Sequence, residues 1–289
     1  MNSRRSPYRA LGTVLTYAAL CGWAAVCLLP LYWLVATSLK GPLEIVAGPF
    51  YIPFLDYAPS LDAWRYILFD SNDNPLLRYV NSVAVGMAST ALTVLLGGLA
   101  VYGLTRYRRV VPGLRNADIL VGMLSTRILP PVVIVLPVYL MAQHAGLLDT
   151  RFALIFTYTA ANLPVAVWLL HPVLGDAATD LEDAAQLDGA SRFRVFFEIV
   201  VPLAAPGIAA AGLLIFILCW NEYLFSVYLA PDHAMTMPPF LAAQMSVREQ
   251  QAGSDAEEWT HLAAAMILMA GPLLLCAGLA HRFVTRVIR

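Results

Sequence analysis

Long apolar runs leave this chain few folds to choose from. They fall at about 12–38, 80–104, 117–142, 152–175, 204–230 and 261–284. A bilayer core about 30 Å thick is crossed by about 20 helical residues, so each run is long enough to span a membrane. In lipid every backbone N–H and C=O must be paired within the chain, which leaves helices and closed barrels. A barrel needs short strands of alternating polarity, a pattern these runs do not show. The expected fold is an all-α integral membrane protein with six transmembrane helices, forming a single transmembrane domain over 1–289. Composition agrees. Of 289 residues, 60% are hydrophobic and 13% charged, about half the charge of a soluble domain.

Arginine placement sets the expected orientation, because basic residues collect on the cytoplasmic side. Arg4, Arg5 and Arg9 precede the first run, Arg106, Arg108, Arg109 and Arg115 flank the loop after the second, and Arg282, Arg286 and Arg289 close the chain. Both termini and the 105–116 loop are therefore expected inside. So is the stretch between the fourth and fifth runs, with Arg192 and Arg194. The 39–78 loop, carrying Asp56, Asp62, Asp70 and Asp73, is expected outside, as is the 231–260 loop with Asp232, Asp255, Glu257 and Glu258. Pro42, Pro49, Pro53, Pro59 and Pro75 make the 39–78 loop a structured segment rather than a hairpin. The first run is too long for a signal-peptide core. Pro130, Pro131 and Pro137 interrupt the third run, which should be kinked or locally unwound.

Several chemistries are disfavoured. Net charge is −1, so nothing suggests nucleic-acid binding. Lys40 is the single lysine among 18 basic residues, and it lacks the Gly-rich lead of a phosphate-binding loop. Any nucleotide must bind another subunit. Cys21, Cys27, Cys219 and Cys276 lie in apolar runs without paired spacing, and the five histidines are scattered. No metal or nucleophilic triad is assigned. Glu182-Asp183 and Glu257-Glu258 are adjacent, and neighbouring helix residues do not face each other. Gly207 and Ala211 form a small-xxx-small pair suited to close helix packing.

Two ionisable residues fall deep in apolar runs: Arg127, just before Pro130-Pro131, and Glu222, in Trp220-Asn221-Glu222-Tyr223. Burying a charge in hydrocarbon costs at least about 2.5–3.5 kcal/mol. The two either pair across the bundle, line a translocation path with Asn221, or snorkel to an interface.

The stretch Asp183–Pro206 is the polar interruption that looks built to fold. Asp188-Gly189 is a turn signal. Before it, Ala177, Leu181, Ala184 and Ala185 share one helical face, with Asp180, Asp183 and Gln186 turned away. After it, Phe193, Phe196, Phe197 and Val200 form a second stripe, and Pro202 and Pro206 follow. This reads as a short helix–turn–helix at the membrane face, with an ordinary polar loop as the alternative.

Asp183-Ala184-Ala185, Asp188-Gly189-Ala190, Phe197, Pro202 and Pro206 resemble the EAA signature of ABC-importer permeases. Asp183 stands where that signature has Glu, and Val201 where it has Leu. Other landmarks are similar to the carbohydrate (MalG-like) type: Pro30 to Lys40 followed by Glu44, Asn81-Ser82, Tyr102 to Tyr107, Arg127 to Pro131, Gly146 to Thr150, and Trp220-Asn221-Glu222.

The resemblance implies a membrane-spanning permease subunit of an ATP-driven, binding-protein-dependent carbohydrate importer in a bacterial or archaeal cytoplasmic membrane. It implies a homologous second permease, two copies of a cytoplasmic ATPase that binds ATP and Mg, and an extracytoplasmic sugar-binding protein. This chain itself would hold no cofactor and would be no enzyme. The 176–206 motif would be the coupling helix, docking on the ATPase through Asp183, Ala184, Ala185, Asp188, Gly189 and Ala190. Phe193, Phe196 and Phe197 would anchor it to the spans. The outer loop, with Met235, Met237, Phe240 and Gln244, would reach the binding protein. Competing readings are a permease for a polyamine or phosphonate, a secondary transporter using Glu222, and a membrane-embedded enzyme.

Overall fold

The computed structural model describes residues 7–48, 51–70, 74–107, 110–175, 179–250 and 256–287. Arg4, Arg5, Pro49, Asp73, Arg108, Arg109, Ala177, Asp255 and Arg289 lie outside the described residues. Among the described residues the regular structure is helical, with one isolated bridge between Pro53 and Tyr57.

The helices, in order, are α1 (Pro7–Ser38), α2 (Pro42–Val46), α3 (Asp62–Arg65), α4 (Pro75–Arg106), α5 (Asn116–Ser125), α6 (Pro131–His144), α7 (Arg151–Gly175), α8 (Thr179–Leu187), α9 (Arg192–Val195), α10 (Val201–Trp220), α11 (Leu224–Leu229), α12 (Met237–Gln250) and α13 (Ala256–Val287). Among the described residues, five segments are long and apolar enough to cross a membrane: Gly12–Ser38, Pro75–Arg106, Arg151–Gly175, Arg192–Trp220 and Glu258–Gly278. The sixth candidate is broken. Asn116–Ile128 and Pro131–His144 meet at 92°. The break follows from Pro130-Pro131. A residue before proline is driven from the helical region, and Leu129 and Pro130 are both extended, at ψ 129° and 132°.

Span five departs from expectation. It starts at Arg192 rather than 204 and ends at Trp220 rather than 230. α9 runs through a π-helical turn, Phe196–Val200, directly into α10. Pro202 follows directly after this turn, at the second position of α10. The helix stops because Asn221 leaves the helical region, and α11 begins as a separate helix.

By internal contacts the chain divides into two compact units, Met1–Asn74 with Gln244–Leu268, and Pro75–Ala243 with Met269–Arg289. In the first unit, α1 exposes Val14, Leu20, Trp23 and Leu29, an apolar surface suited to lipid. Beyond it the described residues of 39–65 fold around Lys40, which is buried with its ammonium 5.1 Å from the Trp33 ring centre and 5.5 Å from that of Tyr57. Burial pulls the Lys40 pKa below the usual lysine range, against the opposing pull of Glu44 and Asp56. The Tyr57 hydroxyl donates to the Ala36 carbonyl at 3.0 Å, and the Trp64 indole N–H to Ser38 at 3.3 Å. The Asp56 carboxylate accepts the Tyr51 and Ile52 amides, each at 2.8 Å, which lowers its pKa. Tyr66 stacks on His261 at 4.0 Å.

In the second unit, α4, α7 and α10 pack around fully buried Val85, Val101, Leu154, Leu170 and Ile215. Small residues let these helices approach. A Cβ on Gly97 of α4 would lie 3.0 Å from the Ala166 Cβ of α7, and one on Gly207 of α10 would collide with Val173 of α7. Close approach of this kind is how helices bind without a hydrophobic force between them. The Trp220 indole donates to the Met269 carbonyl at 3.1 Å.

Candidate functional site

The Asp183–Pro206 stretch folds as a helix, a tight turn and a second helix. α8 ends in a two-bond cap. Gly189 donates its N–H to the Gln186 carbonyl at 3.0 Å, and Ala190 donates to Ala185 at 2.9 Å. Gly189 has φ +88°, the left-handed conformation that this cap requires and that glycine adopts without strain. The Ser191 hydroxyl then accepts the Arg194 amide at 3.4 Å and starts α9. A polar stretch that looked open to being a plain loop is thus capped at both helix ends.

The faces differ from those read in the sequence. Leu181 and Leu187 are 54% and 89% exposed, and Ala184 is exposed with Asp183, Asp188 and Gly189. Ala185 and Ala190 are half-buried. The inward residue of α8 is Glu182, 2% exposed. Its carboxylate lies 2.6 Å from Nη2 of Arg106 and also accepts from Nε of that residue at 3.0 Å. The Tyr102 hydroxyl donates to it at 3.3 Å. A buried carboxylate needs a partner, and Arg106 at the end of α4 supplies one. That pairing, rather than the weak apolar stripe, sets the rotation of α8.

The second stripe is also partly overturned. Phe196 and Val200 are buried, but Phe193 and Phe197 are 71% and 48% exposed, so Phe196 is the anchoring aromatic. It packs 5.0 Å from the Tyr102 ring. The π turn adds a residue to one turn and breaks the 3.6-residue period on which the stripe rests. The outer rim of the motif therefore combines Leu181, Leu187 and Phe193 with Asp183 and Asp188.

Arg127 and Glu222 form no ion pair. Arg127 donates to the Ala161 carbonyl at 3.1 Å and lines an open cavity of about 730 Å³ between the α5–α6 bend and α7, with Phe156, Thr157 and Phe225. Both Glu222 carboxylate oxygens accept the Phe225 amide, at 3.2 and 3.1 Å. Glu222 thus caps the first turn of α11. Helix N-termini carry unpaired N–H groups and a partial positive charge, so this acid has a local use that no distant arginine need meet. Asn221 donates to the Ile217 carbonyl at 2.8 Å.

The loop after α11 is built rather than loose. Asp149, at φ +55°, accepts the amides of Asp232, His233 and Ala234 at 2.9 to 3.2 Å. Asn81 donates to the carbonyls of His233 and Met235 and accepts from Arg151. Arg78 bonds the Asp232 carbonyl, and Ser82 accepts the Met237 amide at 2.7 Å. Met237 and Phe240 are 0% and 7% exposed. Their side chains fill this chain's interior instead of facing a binding protein, a correction to the sequence reading. Met235 and Gln244 are half-buried. Among the described residues, Asp149, Asp232 and His233 bring three ligand-type atoms within 4.8 Å of one another, but the Asp149 oxygens already serve three amides. Sequence reasoning quoted Asn81, Tyr102, Arg106 and Asp149 within motifs without giving them a task. The hydrogen-bonding partners of their side chains lie 68 or more residues away along the chain, where no local pattern reaches.

Long apolar helices, one of them broken, with a capped helix–turn–helix leading into the span-five helix, mark a multi-span membrane protein. The chain belongs to the family described as binding-protein-dependent transport system inner membrane components, which matches residues 117–289. It is 33% identical over 221 residues to the diacetylchitobiose uptake system permease protein NgcG of Streptomyces coelicolor, covering 75% of this chain and 69% of that one. It is 31% identical over 251 residues to the trehalose transport system permease protein SugB of Mycobacterium tuberculosis, covering 86% and 85%. The crystal structure of a bacterial ABC transporter involved in import of the acidic polysaccharide alginate shares the fold, with TM-score 0.76 and 18% identity over 98% of this chain and 99% of that chain. As a member of this family the chain is an inner-membrane transport subunit, not a catalyst. It works with an ATP-hydrolysing partner and a solute-binding protein.

Proposed function

We propose that the solute is a carbohydrate and that the capped helix–turn–helix is where ATP hydrolysis by a partner enters this chain. The observation that carries the second part is the division of α8 into two sides. Asp183, Asp188 and Gly189 are exposed on the rim, with Leu181, Leu187 and Phe193, while Glu182 ties the inner side to the bundle. A rim of two acids and three apolar side chains suits a cleft with basic and apolar walls, and the small Ala184 leaves it unobstructed. The carbohydrate assignment rests on the diacetylchitobiose and trehalose permeases among the relatives.

In the full assembly this chain pairs with a homologous second permease. Two ATPase copies bind ATP and Mg on the cytoplasmic side, where both termini also lie. The outer 231–260 segment meets an extracytoplasmic sugar-binding protein, through Met235, Gln244 and neighbouring exposed residues rather than Met237 or Phe240. Nucleotide-driven closure of the ATPases shifts the bundle between inward- and outward-open states. Glu222, engaged by the start of α11, is poorly placed to carry a coupling ion.

The test is reconstitution of the chain with its companion permease and ATPase in liposomes, supplied with binding protein and labelled mono- and disaccharides. ATP hydrolysis stimulated by sugar-loaded binding protein, with accumulation of that sugar, is expected. Uptake of a polyamine or phosphonate instead would overturn the substrate class. Uptake driven by an ion gradient without ATP would overturn the importer.

A further inference from the structure

We propose that the buried Arg106–Glu182 ion pair is the positioning element that makes the coupling motif move the ends of α4 and α7 as one piece. The inference rests on the docking role proposed for α8. One guanidinium joins three segments. Arg106 closes α4 and grips Glu182 of α8 through Nε and Nη2, at 2.6 to 3.2 Å. Its Nη1 donates to the Gly175 carbonyl at 2.9 Å and its Nη2 to Leu174 at 3.3 Å, the last carbonyls of α7. Its side chain is 13% exposed and that of Glu182 2%. The Tyr102 ring lies 5.8 Å from the guanidinium, and its hydroxyl bonds the same carboxylate.

Two features make this a link rather than ordinary stabilisation. Glu182 and Asp183 are consecutive on a helix and so point about 100° apart. One acid faces the bundle while its neighbour faces the rim, so force applied at the rim is transferred within a single turn. The guanidinium fork is also planar and directional. It tolerates little sliding, and lysine does not reproduce it. Ala185 and, past the turn, Ala190 also pack against the bundle, and their methyl groups have no shape with which to resist a shift. Without the fork, a pull on α8 would swing it away from the bundle while α4 and α7 stayed in place.

The experiment uses the assembled transporter in liposomes, comparing wild type with Arg106→Lys and Glu182→Gln. Copurification of all subunits, ATP hydrolysis and solute transported per ATP are read separately. The proposal expects assembly and hydrolysis near wild type, with transport per ATP falling about tenfold, within the usual range of coupling effects. A second arm replaces both residues by cysteine, in a background whose four native cysteines are changed to alanine. A short bismaleimide then tethers the two positions. Recovery of transport per ATP on tethering is expected, whether or not the untethered variant assembles well. Unchanged transport per ATP in Arg106→Lys and Glu182→Gln would overturn the proposal. So would a tethered variant that assembles yet stays uncoupled, since that marks a need for charge rather than linkage. Absence of binding-protein-stimulated hydrolysis in the wild type would instead sink the importer reading itself.

Discussion

Gly207→Ala should loosen the crossing of α10 and α7, and Val173→Ala should repair it. On the existing backbone the new methyl would lie 2.9 Å from Cγ2 and 3.2 Å from Cβ of Val173, and closer still to Cγ1. Carbon atoms prefer about 3.5–4.0 Å. All three atoms belong to a β-branched side chain on a helix, which has one strongly preferred rotamer, so Val173 cannot swing clear. The helices must part by several tenths of an ångström or distort. Overpacking on this scale costs about 1–3 kcal/mol. At tenfold per about 1.4 kcal/mol, that is roughly 5- to 140-fold in the folding equilibrium. The assay is reversible denaturation of the purified chain in mixed micelles for all four members of the Gly207/Val173 cycle. The double variant should be more stable than the sum of the single changes by about 1–2 kcal/mol. A Gly207→Ala chain as stable as wild type, or costs that add within about 0.5 kcal/mol, would refute the steric argument.

Other expectations follow from the same geometry. Gly189→Asp should abolish transport while leaving membrane insertion intact, because it puts a side chain at φ +88° on the exposed rim proposed to dock the ATPase; full transport in the variant would remove the rim from the mechanism. Asp183→Glu should keep most activity, since Asp183 is exposed and a longer acid still reaches a basic partner; a dead variant would mean the acid's length is matched. Asp149→Ala strips the acceptor from three amides, at about 1–3 kcal/mol for any that stays buried, and should raise protease nicking within 231–236. The Asp56 pKa is lowered by the Tyr51 and Ile52 amides. Its contribution is therefore present above the unfolded carboxylate pKa and lost as pH falls through the lower folded value. Nicking at 51–57 should increase in that acid window, and Asp56→Asn should show the increase at neutral pH.

Features whose cause is local were legible in the sequence. Asp188-Gly189 announces a turn because glycine takes positive φ without steric strain. Pro130-Pro131 announces a break because both the ring and its effect on the preceding residue oppose helix. The long runs announce helices because lipid offers no other partner for the backbone. What escaped reading depends on distant partners or on phase. Glu182 points inward because of an arginine 76 residues away, so α8 is rotated from the face its apolar residues suggest. Phe197 falls outside the buried stripe because it lies in a π turn that shifts the helical phase, and no residue type marks one. Glu222 looked like half of an intramembrane ion pair because depth was inferred from flanking residues. Its neighbours in fact leave the helix and hand it a row of amides. Met237 and Phe240 looked like outer-loop surface because acids flank them, yet Asp149, Asn81 and Ser82 fold that loop back so that they are enclosed.

The π turn at Phe196–Val200 bears on how such transporters can be recombined. A docking motif taken from a relative is the obvious part to graft when an importer must accept a foreign ATPase. One residue more or less in a helical turn swings all that precedes it by about 100° relative to all that follows. A splice placed between Arg192 and Val200 therefore risks presenting the right residues on the wrong side. Seams set beyond Val201 at one end and within 107–116 at the other would carry the joint along with the surface it aims. Such a cassette also takes Arg106 from the donor if the second seam is moved back into α4, keeping the motif and its clamp from the same parent.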